Sequence, residues 1–126
     1  MHGGLVSPDE ANPDYRDIVL NFQAGKAFLL EEFNVTTTIG WQLDPFGHSA
    51  VTPLLFSEMG LDTVVFARIN DKEREERRLN QTMQFIWQPD FDFTKNVTEI
   101  KNESGSAIFA HLLHDHYNVQ GIFLDY

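Results

Sequence analysis

The sequence predicts an α/β fold built on a parallel sheet, and three observations carry that expectation. Helix-type and strand-type segments alternate along the chain; the strand-type segments are short and rich in β-branched and aromatic residues; and polar residues of chemical interest fall just after the strands rather than within them. With 42% hydrophobic and 13% aromatic residues over 126 positions, there is enough apolar material for one core, which favours a folded unit over a disordered segment.

The first helix is expected to start at Asn12, as its cap, with Pro13 at the first helical position, where a missing N–H costs nothing, and to run to about Phe33. Tyr15, Ile18, Val19, Phe22, Phe28, Leu29 and Phe33 recur at mostly three- and four-residue intervals. They form one apolar stripe that must pack on a sheet. Thr36 to Leu43 reads as a strand that stops at Asp44-Pro45, because proline cannot donate to a sheet ladder. Ser49 can cap a second helix through about Met59, ended by Gly60, and Thr63 to Ala67 follows as a compact strand with Arg68 at its end. Asp71 to about Leu79 mixes both signs of charge in the run DKEREERR and reads as a solvated helix. Phe85 to Trp87 is a further short strand and Pro89 to Ser106 a polar surface loop. Ala107 to Leu113 is a last buried strand, followed by His114-Asp115-His116-Tyr117-Asn118.

In parallel α/β folds functional groups collect at the carboxyl ends of strands, and Asp44, Arg68 and the segment His114 to Asn118 all fall at such ends. A closed parallel barrel takes about 250 residues. The chain therefore supplies about half of one, and the site is expected to be incomplete.

Composition excludes several classes of partner. A net charge of −10, from nineteen acids against nine bases, repels phosphate backbones and anionic lipid head groups, which sets nucleic acid and membrane surfaces aside. No run approaches the roughly eighteen consecutive apolar residues of a membrane span, and Met1-His2-Gly3-Gly4 lacks the features of a signal peptide. The absence of cysteine removes disulfides, thiolate metal sites and cysteine nucleophiles together. Four Asn-x-Ser/Thr sequons, at Asn34, Asn80, Asn96 and Asn102, use half of the eight asparagines. They point to a lysosomal or secretory lumen, with chance as the competing explanation.

Asp44 lies between an apolar strand and the turn Pro45-Phe46-Gly47, where proline fixes the backbone and glycine permits a tight reversal. A carboxylate on so rigid a corner suits a nucleophile or a hard metal ligand, and equally a turn cap bonded to its own backbone. His48, His111, His114, Asp115 and His116 are metal-binding residue types, but their spacing matches no zinc signature such as His-Glu-x-x-His, and a polar loop accounts for them. Arg68 fits an ordinary salt bridge as well as a binding role, and Phe46 and Tyr117 can simply pack.

The run Trp41-Gln42-Leu43-Asp44-Pro45-Phe46-Gly47-His48-Ser49 closely resembles the W-x-x-D-P-F-G-H-S signature of glycoside hydrolase family 38, the class II α-mannosidases. Gly3-Gly4 with Asp9-Glu10-Ala11 is similar to the family's G-G-x-x-x-x-D-E-A stretch, Met59-Gly60-Leu61-Asp62 to its M-G-F-D, Phe66-Ala67-Arg68 to its F-x-R, and His116-Tyr117-Asn118 to its later H/G-Y-N. His48 is similar to the lysosomal-type branch. The similarity spans nearly all of residues 1–126, which then form part of a catalytic domain.

The resemblance implies a seven-stranded parallel β/α barrel with a zinc ion in the pocket and mannose-containing oligosaccharides as substrates. Asp44 would be both nucleophile and zinc ligand, and Phe46, Arg68 and Tyr117 would line the mannose subsite. The family's H-x-D-P-G-W, D-D-F and H-H-D segments, which hold the other ligands and the general acid, are absent from these residues. Two functions therefore compete: hydrolysis of α-mannosyl linkages on N-glycans by the complete protein, or a catalytically silent segment with a structural or carbohydrate-binding role.

Overall fold

A computed structural model describes residues 1–88 and 107–116. Among them are three helices and four strands: α1 (Tyr15–Phe33), β1 (Ile39–Gln42), α2 (Thr52–Glu58), β2 (Thr63–Phe66), α3 (Asp71–Leu79), β3 (Gln84–Trp87) and β4 (Ile108–Leu112). The expected alternation of helix and strand is present. The loop expected over Pro89 to Ser106 lies outside the described residues.

The four strands form one sheet in the order β1-β2-β4-β3. β1, β2 and β4 are parallel, whereas β3 runs antiparallel to β4, so the sheet is mixed rather than wholly parallel. The reason lies in α3. Its Arg74 guanidinium donates to the carbonyls of Ala67 and Leu113, the residues that follow β2 and β4, which keeps the helix near the carboxyl edge of the sheet. The chain thus enters β3 from that edge and descends. The DKEREERR run is accordingly not wholly solvated: Arg74 reaches inward, and the Arg77 guanidinium carbon lies 4.4 Å from the Phe85 ring centroid.

Alternation along the strands gives the sheet two unlike faces. Gly40 and Gln42, Val64 and Phe66, and Ile108, Ala110 and Leu112 are buried on one face, where Phe22 of α1 and Phe56 of α2 join them in the core. Gly40 is required there, because an added Cβ would stand 2.5 Å from the Phe56 ring. On the other face Ile39, Trp41, Val65 and His111 are only half-buried, and Phe109 and Ile86 are exposed.

Helix α1 begins later than its sequence suggests. Asp14 is the cap, accepting the Arg16 N–H at 2.9 Å, while the Asn12 amide is turned to Asp9 at 2.9 Å. Asn34, in the left-handed region, closes the helix. The expected stripe packs only through its middle. Phe22 and Gly25 are buried and Ile18, Val19 and Leu29 half-buried, but Tyr15, Phe28 and Phe33 are exposed. A nineteen-residue helix is about 28 Å long at about 1.5 Å per residue, roughly twice the length of the strands beneath it.

β1 is shorter than the Thr36–Leu43 expected, and the chain before α1 runs alongside it. The His2 N–H donates to the Ile39 carbonyl at 2.5 Å, the Trp41 N–H to His2 Nδ1 at 3.3 Å, and the Thr37 hydroxyl to the His2 carbonyl at 2.9 Å. His2 Nε2 donates to the Val6 carbonyl at 3.1 Å. This pattern suits the neutral ring, and burial pushes the His2 pKa below its ordinary value. The segment can cross α1 because Gly25 has no side chain: a Cβ there would lie 2.3 Å from the Gly3 carbonyl oxygen and 2.6 Å from a Gly4 backbone carbon.

Gly25→Ala is expected to destabilise by about 1–3 kcal/mol through this backbone clash, although alanine is the better helix former. Urea unfolding of the two proteins measures it, and an alanine variant at least as stable as the parent would contradict the close approach.

Candidate active site

Register brings the two central residues together. β1 and β2 are parallel, with Gln42 opposite Phe66 as the last pair, and Asp44 and Arg68 each lie two residues beyond. They leave adjacent strands at the same height and on the same side. Arg68 Nε lies 2.6 Å and Nη2 2.5 Å from Asp44 Oδ1, so two guanidinium donors converge on one carboxylate oxygen. The Arg68 guanidinium carbon also sits 4.2 Å from the centroid of the Phe46 ring, a cation–π contact.

Around this trio the rim is open. The Asp44 side chain is 60% exposed, Phe46 is 84% exposed, and Pro45 between them is buried and anchors the corner. Trp41, Leu43, Pro45, Phe46 and Pro8 form the apolar lining of a groove of about 480 Å³, with Asp9 and Asp44 as its carboxylates. A larger hollow of about 770 Å³ lies between the start of α1 and α2, and Asp44, Phe46 and Arg68 take no part in its lining.

His48 does not act as a free ligand. Its Nε2 donates to the Arg68 carbonyl at 2.9 Å, its Nδ1 lies 3.5 Å from Glu10 Oε1, and its ring packs against Phe66 at 4.9 Å. Glu10 in turn accepts the Ser49 N–H in a short hydrogen bond and the Gln42 side-chain amide at 3.4 Å. Ser49 does not cap α2 directly: Val51 is the cap residue, and its N–H donates to Ser49 Oγ at 3.2 Å.

The tail histidines have local partners. His111 Nδ1 lies 2.9 Å from the Gln84 side-chain amide, and His114 Nδ1 lies 3.3 Å from Asp115 Oδ1 in a turn over residues 114–116. Among the described residues no group of three or more His, Cys, Asp or Glu side chains could hold a metal ion. Of the residues singled out in the sequence, Asp44, Phe46 and Arg68 come together, and Tyr117 lies outside the described residues. Glu10 was missed. It sits in an irregular segment with no periodicity to mark it, and its only signal was membership of the Asp-Glu-Ala run.

Parallel strands that present a carboxylate, an arginine and an aromatic ring at their carboxyl edge define an α/β domain with its polar site at the strand ends. Residues 1–124 match the glycosyl hydrolases family 38 N-terminal domain, and the chain belongs to this family. It is 38% identical over 118 residues to the alpha-mannosidase of Canavalia ensiformis, covering 93% of this chain and 11% of that protein. An alpha-mannosidase of Arabidopsis thaliana is 38% identical over 119 residues, 94% of this chain and 11% of its own length. The lysosomal alpha-mannosidase of Dictyostelium discoideum is 38% identical over 87 residues, 69% of this chain and 9% of its own length. The chain therefore spans about a tenth of the length of the relatives it matches.

Because two guanidinium nitrogens and a stacked ring meet at Arg68, an ammonium cannot replace it. Arg68→Lys in a complete enzyme carrying this segment is expected to lower kcat/KM about tenfold or more, a loss of about 1.4 kcal/mol in transition-state stabilisation. Steady-state kinetics on an aryl α-mannoside test this, and an unchanged kcat/KM would leave Arg68 a structural residue only.

Proposed function

We propose that the protein carrying this segment is a retaining α-mannosidase that releases terminal α-mannosyl residues from N-glycans, with Asp44 as its nucleophile. The observation that carries this reading is the Asp44 carboxylate, held through one oxygen by Arg68 at the mouth of a groove lined by Trp41 and Phe46, in a chain of family 38.

Retention of configuration requires two carboxyl groups about 5–5.5 Å apart. One attacks the anomeric carbon while the other protonates the departing oxygen, and water then cleaves the glycosyl ester with the second group acting as base. Arg68 fixes the rotation of the Asp44 carboxylate, so an attacking oxygen keeps one direction. Phe46 and Trp41 offer apolar faces to the C–H surface of a sugar, and Tyr117 is assigned to the same subsite by resemblance. Asp9 shares the groove, but its oxygens already accept the Glu10 and Ala11 N–H groups and the Asn12 amide. The general acid is therefore assigned outside the described residues.

Zinc is proposed as the cofactor. Asp44 fits one ligand position as an oxygen donor, while a tetrahedral site needs three or four donors, so the described residues alone do not make a zinc centre. When bound, zinc would act as a Lewis acid toward sugar hydroxyls. The half-covered second face of the sheet supports the barrel reading, since parallel strands are ordinarily covered on both faces. A lysosomal or secretory lumen is supported by the exposed sequon residues Asn34 and Asn80, each at a helix C-terminus. Asn96 and Asn102 lie outside the described residues.

A silent segment with a structural or carbohydrate-binding role is the second reading.

Two experiments separate them. In the complete enzyme, a mechanism-based fluoroglycosyl fluoride of the mannose series is expected to trap a covalent ester on the peptide containing Asp44, and Asp44→Ala to abolish both label and turnover. Label on another carboxylate would reassign the nucleophile. Residues 1–126 expressed alone are expected to release no 4-nitrophenol from its α-mannoside with zinc supplied, and to bind zinc only weakly by calorimetry. Tight binding lost on changing His111, His114 and His116 to alanine would mean that the tail histidines form a metal site of their own.

A further inference from the structure

The turn that bears Asp44 and Phe46 has little holding its tip. Phe46 is 84% exposed, and Gly47, at φ 134°, has nothing within 4 Å of where a Cβ would be. Its placement must come from the two ends of the turn and from Arg68. Both ends converge on Glu10. Gln42, two residues before Asp44, donates to Glu10 Oε1 at 3.4 Å; Ser49, five residues after it, donates its N–H to Glu10 Oε2; and His48 Nδ1 lies 3.5 Å from Oε1. The far side of the His48 ring donates to the Arg68 carbonyl at 2.9 Å, and the Arg68 side chain grips Asp44. A closed circuit results, running from Glu10 through His48 to the backbone of Arg68, across its guanidinium to Asp44, and back along the chain to Gln42.

The Glu10 side chain is only 6% exposed. A carboxylate so enclosed, in a chain of net charge −10, is costly unless its acceptor capacity is filled. Here it is filled by donors that flank the nucleophile, from Gln42, His48 and Ser49. A carboxylate serving only to fasten the first loop would not need partners from both sides of Asp44.

We propose that Glu10 is a positioning residue for the glycosidase reaction: it clamps the two ends of the Asp44–Ser49 turn and, through His48, sets the height of Arg68 against the nucleophile. The proposal rests on the assignment of Asp44 as nucleophile.

The test uses the complete enzyme that carries this segment and the same fluoroglycosyl fluoride, because the labelled fraction counts folded sites while the labelling rate reports how well the nucleophile is placed. Glu10→Gln keeps the shape and one acceptor oxygen, and its labelling is expected to slow about threefold or more at an undiminished labelled fraction; Glu10→Ala should slow about tenfold or more. Hydrogen exchange in the peptide containing Ser49 should quicken in both variants. In a double-mutant cycle Glu10→Ala and His48→Ala should be less than additive in the labelling rate, since each opens the same circuit. If Glu10→Ala does not fold, Glu10→Gln decides alone. Labelling of Glu10→Gln at the parental rate, a reduced labelled fraction with no change in rate, or full additivity with His48→Ala would each overturn the proposal. Asp44→Ala serves as the separate control: label retained in that variant would mean that the nucleophile assignment has failed, whatever Glu10 does.

Discussion

The site depends on one constraint, the in-register parallel pairing of β1 with β2. With Gln42 opposite Phe66, the two chains leave the sheet side by side, and Asp44 and Arg68 emerge within hydrogen-bonding distance. A slip of one residue would move Asp44 by about 3.3 Å and turn its side chain to the opposite face. The same slip would bring a residue other than Gly40 beneath the Phe56 ring, where no Cβ fits. The tight contact between α2 and β1 in the core thus guards the register on which the rim geometry rests.

Polar groups pushed into this region come at a cost to stability. Gln42 is buried, and its Oε1 has no hydrogen-bond partner among the described residues, a deficit of about 1–3 kcal/mol for a buried acceptor. Glu10 and His48 are nearly as enclosed. The rest of the core on that face is apolar, chiefly Val, Phe, Ile, Leu and Ala with Met83. Thr37 and Thr52 are buried elsewhere, but the linked polar network of Glu10, Gln42 and His48 lies at the edge where strand ends must be held to fixed positions, which is where networks that specify geometry are worth their desolvation.

Much of the fold was legible because the signals were local. Each helix and strand expected among the described residues is present, and Asp44 and Arg68 were placed at strand ends from chain order alone. What escaped was non-local. The direction of β3 depends on Arg74 reaching the carbonyls of Ala67 and Leu113, and DKEREERR reads as solvent-facing until those acceptors are placed in space. The cap of α1 moved to Asp14 because Asp9 claims Asn12, a competition between neighbours that propensity does not rank. Glu10 stands thirty-four residues from Asp44, and only folding shows that its partners lie on both sides of that residue.

The two faces of the sheet bear on what the segment is part of. One is closed by Phe22 and Phe56 over a core of aliphatic side chains; the other presents Trp41, Val65, Phe109 and Ile86 with partial cover at most. β1, β2 and β4 are parallel, and parallel strands are stable when both faces are dry. Helices cover one face, and the half-covered second face is the one that the strands of the proposed barrel would enclose. The groove between Trp41 and Phe46 lies at the carboxyl edge of that uncovered face, so further strands that cover the sheet would also wall the groove. Completion of the core and completion of the active site would then be the same event.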